Sequence, residues 1–144
     1  MAATYNNLYL DARKRLREAG VEGAQLEARE LVCCAAGKSR EQFYRDMALY
    51  ASDPVEEKLA ELLERRLAGE PVAYLIGEWE FYGLGLDITP DVLIPRMDTE
   101  VLAERAILLA RAAGEGARVL DLCAGSGCVG LAVAANVPGC LCCG

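Results

Sequence analysis

The sequence predicts an N-terminal all-α helical bundle, then a β-hairpin linker, then the first strand–helix unit of a doubly wound α/β domain. Three observations predict this. Apolar residues recur at helical spacing through the first seventy residues, interrupted by glycines and prolines. The period shortens to that of strands between Glu78 and Ile88, with Gly83 between two short runs. Past residue 115, Arg118-Val119-Leu120-Asp121 reads as a buried strand ending in an acid, and Gly125-Ser126-Gly127-Cys128-Val129-Gly130 as a glycine turn that opens a helix.

Each element has its own signal. Leu8, Ala12, Leu16 and Ala19 share one helical face, closed by Gly20 as a C-terminal cap. Ala24, Ala28, Leu31, Val32 and Ala35 mark a second helix that ends at Gly37. Ser39 with Gln42 three residues on is close to a capping box for a short third helix. Asp53-Pro54 starts a fourth, with proline at its first position; Val55, Leu59, Leu62, Leu63 and Leu67 form its apolar face, and Gly69-Glu70-Pro71 stops it. Four such helices with brief loops make a small bundle.

The hairpin pairs Glu78–Tyr82 with Leu84–Ile88. Thr89-Pro90 and Ile94-Pro95 punctuate a loop, and residues 98–112 form a helix with Val101, Leu102, Ala106, Leu109 and Ala113 along its face. Val119 to Asp121 make a strand, Gly127 to Asn136 a helix, and Cys140 to Cys143 a second strand. Two parallel strands do not make a stable sheet, which favours several neighbours and cover on both faces. The chain therefore reads as truncated. Residues 1–75 are expected to fold alone, with 115–144 loosely held or paired with another copy.

Composition narrows the function. Hydrophobic content of 53% and charged content of 26% suit a soluble globular protein. With 15 basic and 22 acidic residues the net charge is −7, which argues against a general phosphate-backbone binder and leaves nucleic acid out of the expected partners. No run approaches the roughly 18 apolar residues of a membrane span and no signal peptide opens the chain, so a cytoplasmic location without membrane partners is expected. Seven cysteines are an odd number and no disulfide framework is read from them. With no histidine, and with Cys123 already in the glycine loop, metal is not expected either, and the cysteines read as small buried apolar residues, Cys33 and Cys34 included.

The chemistry concentrates in the glycine loop. Glycines let a ligand approach the backbone, and a helix N-terminus offers unpaired N–H groups to a nucleotide-like cofactor. A bare G-x-G-x-x-G also fits a dinucleotide loop, or a turn whose glycines serve packing alone. Here Asp121-Leu122-Cys123-Ala124 separates the strand from the first glycine, with the carboxylate where the strand ends. That order resembles motif I of S-adenosylmethionine-dependent methyltransferases.

More residues carry a closer resemblance. Gly69-Glu70-Pro71-Val72-Ala73-Tyr74-Leu75-Ile76-Gly77, Glu80-Phe81-Tyr82-Gly83, Leu93-Ile94-Pro95-Arg96-Met97-Asp98-Thr99-Glu100 and Asp121 to Gly127 together closely resemble the release-factor glutamine methyltransferases of the PrmC/HemK type. The resemblance implies three parts: a helical substrate-recognition domain at 1–75, a β-hairpin linker at 76–96, and the incomplete start of a Rossmann-like S-adenosylmethionine-binding domain at 97–144. It implies methylation of the side-chain amide of glutamine in the Gly-Gly-Gln motif of peptide chain release factors. The cofactor would be S-adenosylmethionine, held by Asp121, Cys123, Ala124, Gly125, Ser126 and Gly127, with Pro95 and Arg96 beside it.

The sequence departs from the family in three places. Cys123 stands where the loop often has its first glycine, and Met97 where proline is common. The Asn-Pro-Pro-Tyr motif that holds the substrate amide in the family is missing; Asn136-Val137-Pro138 is the nearest match and cannot replace it. No catalytic residue is therefore assigned, and the chain is expected to be inactive alone. A non-catalytic protein-binding module, or a methyltransferase of this fold with another substrate, are the competing readings. No oligomeric state follows from the sequence. A simpler role for the Leu93–Glu100 segment is that Asp98 or Thr99 caps the next helix and Arg96 pairs with Asp98 or Glu100.

Overall fold

The computed structural model describes residues 2–144, which form two compact units, one ending at Ile76 and one spanning Gly77–Gly144. The first contains helices α1 (Tyr5–Glu18), α2 (Ala24–Ala36), α3 (Arg40–Asp46), α4 (Asp53–Leu67) and α5 (Val72–Ile76). Its core comes from residues at helical spacing: Ala12 and Leu16 on α1, Ala28, Leu31 and Val32 on α2, Phe43 on α3, and Leu59, Leu62 and Leu63 on α4. Tyr9 meets Phe43 edge-on, ring centroids 5.8 Å apart.

The helix ends follow the sequence signals. Ser39 Oγ accepts the N–H of Gln42 at 3.2 Å while Gln42 Oε1 accepts the N–H of Ser39 at 2.9 Å, a complete capping box. Gly20, at φ 78°, lets α1 turn back so that its own N–H reaches the carbonyl of Arg17 and that of Val21 the carbonyl of Leu16, both at 3.0 Å. Those two bonds satisfy carbonyls that the helix leaves unpaired. The same pair of bonds ends α2 at Gly37 and α4 at Gly69.

Ion pairs join elements distant in sequence. Arg66 on α4 donates from Nε and Nη2 to the Glu27 carboxylate on α2 at 2.7 and 3.3 Å, a bidentate fork with both side chains largely covered. Lys38 donates to Asp46 Oδ2 at 2.8 Å and sits over the Tyr5 ring at 5.1 Å. Hydrogen bonds from Arg45, then Lys38, hold the Asp46 carboxyl down at about 2.

The first unit departs from expectation in details. Ala19 is exposed because it lies beyond the last turn of α1, as the cap residue. Leu67 is exposed at the end of α4. Ser52 takes the N-cap position of α4, which puts Pro54 second in the helix, where its missing N–H is still not needed. Gly69-Glu70-Pro71 stops α4 as expected, but Pro71 also starts the five-residue helix α5, whose Val72 and Ala73 are buried.

The second unit begins with a hairpin, β1 (Glu78–Phe81) antiparallel to β2 (Leu84–Asp87), with Phe81 opposite Leu84. Tyr82 and Gly83 form its two-residue turn, both at positive φ (49° and 76°), the primed geometry that matches strand twist. Helix α6 (Thr99–Ala113), strand β3 (Arg118–Leu120), helix α7 (Cys128–Asn136) and strand β4 (Leu141–Cys143) follow. β3 and β4 pair in parallel, Arg118 with Leu141, Val119 with Cys142 and Leu120 with Cys143. Phe81, Ala103, Cys128 and Ala132 form one buried cluster, and Ile107, Ala110, Val133 and Val137 another. The hairpin thus packs through Phe81 on α6 and α7.

Three expectations change here. Helix α6 buries Ala103, Ile107 and Ala110, whereas Val101, Leu102 and Leu109 of the expected face are 69%, 60% and 64% exposed, and Ala113 is exposed too. This helix is apolar on several sides, and the stripe carrying Ala103 and Ala110, with Ile107 between them, is the one buried against α7. β3 is not a buried strand: Leu120 is 65% exposed, since only one strand and one helix layer flank it. Tyr82 belongs to the turn, so the hairpin strands are one residue shorter on each side. Among the described residues, no helix is long and apolar enough to cross a membrane.

Candidate functional site

The parallel pairing of β3 with β4 fixes the start of the glycine loop. The N–H of Asp121, just past β3, donates to the carbonyl of Cys143 at 2.7 Å. Its side chain turns the other way, and Oδ2 accepts the N–H of Gly130 at 3.1 Å. Gly130 is the third residue of α7, so one of the helix's unpaired N-terminal donors is satisfied by a carboxylate nine residues earlier. Gly127 occupies the N-cap position in left-handed conformation and has no side chain to supply that bond itself. Asp121 takes over the capping role from outside the helix.

Close approach dictates the third glycine. A Cβ on Gly130 would lie 3.2 Å from Asp121 Oδ2, tighter than ordinary contact. Around Gly125, at φ 58°, a Cβ would meet nothing within 4 Å, so the loop backbone there borders open space. Gly127 N–H closes the turn on the carbonyl of Ala124 at 2.9 Å. Cys123 sits at φ 57° without being glycine, in the region where an L side chain is strained. Glycine would adopt this backbone shape without strain.

Asp121, Cys123, Ala124, Gly125, Ser126 and Gly127 are therefore one continuous loop between β3 and α7. Pro95 and Arg96 lie before α6, Pro95 buried and Arg96 exposed. No hydrogen bond or ion pair among the described residues joins either to the loop, or Arg96 to Asp98 or Glu100. Asp98 takes the N-cap position of α6 but its side chain makes no capping bond. Glu100 instead accepts the N–H of Tyr82 at 2.8 Å, tying the hairpin turn to the first turn of α6. Gly130 as the partner of Asp121, and Glu100 as the partner of the Tyr82 N–H rather than of Arg96, are the roles that the sequence pattern does not carry. The third glycine of the motif was the available signal for one, and nothing local marks the other.

The cysteines divide by location. Cys33 and Cys128 are buried, Cys34 and Cys140 half-buried, while Cys123, Cys142 and Cys143 are exposed. The last three overturn the expectation of buried apolar cysteines, because one lies in an open loop and two on an uncovered strand. Burial pushes the Cys33 thiol up to about 11. Desolvation first, then the hydrogen bond and charge of Cys140 and the charge of Asp121, raise Cys142 above its ordinary value.

A helical unit, and then a strand, a carboxylate, a glycine turn and a helix, are what a helical domain followed by the start of a methyltransferase fold contains. Residues 7–77 match the family model described as the PrmC N-terminal domain. The chain is 38% identical over 138 residues to a release factor glutamine methyltransferase of Vibrio cholerae, covering 96% of this chain and 48% of the relative. It is 41% identical over 120 residues to that of Haemophilus influenzae, covering 81% and 41%. With that of Bordetella pertussis it shares 47% identity over 120 residues, covering 79% and 42%. The chain spans less than half the length of these relatives.

Proposed function

We propose that this chain supplies the helical domain and the cofactor loop of a release factor glutamine methyltransferase. The observation that carries the reading is the Asp121–Gly130 bond, which shapes a glycine loop with open space along its backbone, in a chain about 40% identical to proteins of that name. The cofactor is S-adenosylmethionine, which when bound supplies an electrophilic methyl group on a sulfonium. Cys123, Ala124, Gly125, Ser126 and Gly127 hold it through their backbone, Asp121 keeps that backbone in shape, and Pro95 and Arg96 form an adjoining wall.

The residues at hand fit such a ligand. The loop offers donors at the N-terminus of α7, and no side chain obstructs Gly125. The acceptor is the glutamine amide of the Gly-Gly-Gln motif in peptide chain release factors. An amide nitrogen is a poor nucleophile, so the work of such an enzyme is to hold and align it. Residues 1–75 grip the release factor, 76–96 form the connecting hairpin, and 97–144 begin the cofactor domain. The Asn-Pro-Pro-Tyr motif that would hold the amide does not occur in these residues, so the chain alone binds cofactor and transfers no methyl group.

Equilibrium dialysis with S-adenosylhomocysteine tests the loop. Saturable binding that Asp121→Ala weakens at least tenfold is expected, and no binding by the unaltered chain would sink the cofactor assignment. Methyl-labelled cofactor and a class I release factor test the remainder: label transferred by this chain alone would show that the amide is held by residues within it. Retention of the release factor by the chain without cofactor binding would favour the protein-binding module instead.

A further inference from the structure

We propose that Cys140 and Cys142 form a reversible dithiol–disulfide site, oxidised by low-molecular-weight disulfides of the glutathione class. The two Sγ atoms lie 3.5 Å apart. An S–S bond is about 2.05 Å long, so the sulfurs must approach by about 1.5 Å, the scale of a side-chain rotation. The local backbone explains why they meet. Gly139, at φ 81°, turns the chain toward β4, and Cys140, immediately before that strand, projects to the same side as Cys142, as their separation requires. Cys143 belongs to the opposite face, which disfavours a bond between it and its immediate neighbour.

The two sulfurs differ in access. Cys142 is exposed on β4, whereas Cys140 is half-buried against the cluster of Ile107, Val133 and Val137. Among the described residues, no three Cys, Asp or Glu side chains are grouped to hold a metal ion.

The exchange balances in two steps. The Cys142 thiolate attacks one sulfur of the small disulfide; an S–S bond forms to the protein and one small thiolate leaves. The Cys140 thiolate then attacks the Cys142 sulfur of that mixed disulfide, forming the 140–142 bond and expelling the second small thiolate. The two protein thiols lose two electrons and two protons, and the small disulfide gains both to become two thiols. Only one residue separates the cysteines, so the ring is strained and a modest excess of reduced glutathione reopens it.

The test uses the full chain, equilibrated in glutathione buffers of increasing oxidised fraction, blocked with N-ethylmaleimide and mapped by mass spectrometry. The expected product is a C-terminal peptide lighter by two hydrogens, with maleimide on Cys143 and none on Cys140 or Cys142, and reversed by reduced glutathione. Cys143→Ser should keep the bridge, while Cys140→Ser should leave glutathione on Cys142. The proposal is overturned if Cys140 and Cys142 both stay alkylatable, if Cys143→Ser abolishes the bridge, or if the product is a covalent dimer.

Discussion

The carboxylate of Asp121 caps helix α7 at Gly130, 3.1 Å away, so a residue outside the helix does the work of an N-cap side chain that Gly127 lacks. The bond and the glycine depend on each other. Alanine in place of glycine within a helix is ordinarily stabilising by about 1 kcal/mol. Here its Cβ would press on the carboxylate at 3.2 Å. Gly130→Ala should therefore bring no gain by itself, yet stabilise an Asp121→Ala variant by about 1 kcal/mol. Urea unfolding of the four chains of this cycle measures the coupling; additive effects would mean that the contact carries no energy.

Cys123→Gly should raise stability by about 1 kcal/mol, since a non-glycine residue in the left-handed region costs about 1–3 kcal/mol and glycine's extra freedom in the unfolded chain offsets part of it. The position is exposed, so no packing is lost. A lower urea midpoint for the variant would show that the loop does not strain this residue.

Acid should weaken the helical unit through Asp46. Its folded value, held by Arg45 and Lys38, lies at about 2 against an ordinary 3.8. A depressed carboxyl contributes stability above its unfolded value and loses it as pH falls from about 4 toward about 2. Asp46→Asn should flatten the stability curve in that window and leave its slope above pH 5 unchanged. Thermal unfolding of both chains between pH 2 and 7 measures this.

Cys33 has the opposite sign. Its thiol is raised to about 11 from 9.0 by burial, so its contribution is complete below pH 9 and fades between 9 and about 11. At pH 8, iodoacetamide should modify Cys143 at least tenfold faster than Cys33, by mass spectrometry of timed samples. Equal rates would mean that α2 opens readily.

Much of the fold was legible because the signals were local. Gly20, Gly37 and the Ser39–Gln42 box act within a few residues, and each ends or begins its helix where the pattern indicates. The buried face of α6 is not legible in one dimension, because Val101, Leu102 and Leu109 fit helical spacing as well as Ala103, Ile107 and Ala110 do. Phase in such a helix is chosen by the partner, here α7, which a one-dimensional pattern does not contain. Likewise the order of the loop from Asp121 to Gly127 is plain in sequence, but the bond that shapes it runs to Gly130 and the strain at Cys123 exists only in three dimensions.

Helix α1 opens against residues that come much later in the chain. The carbonyls of Leu49 and Met47 receive the N–H groups of Tyr5 and Asn6, Thr4 receives that of Asn7, and Ala51 returns a bond to Ala3. During vectorial synthesis the first helix therefore emerges with its leading end unsealed. Residues 47–51 must be extruded before that end can be latched in place, so a translational pause upstream of them would leave α1 frayed and open to proteases.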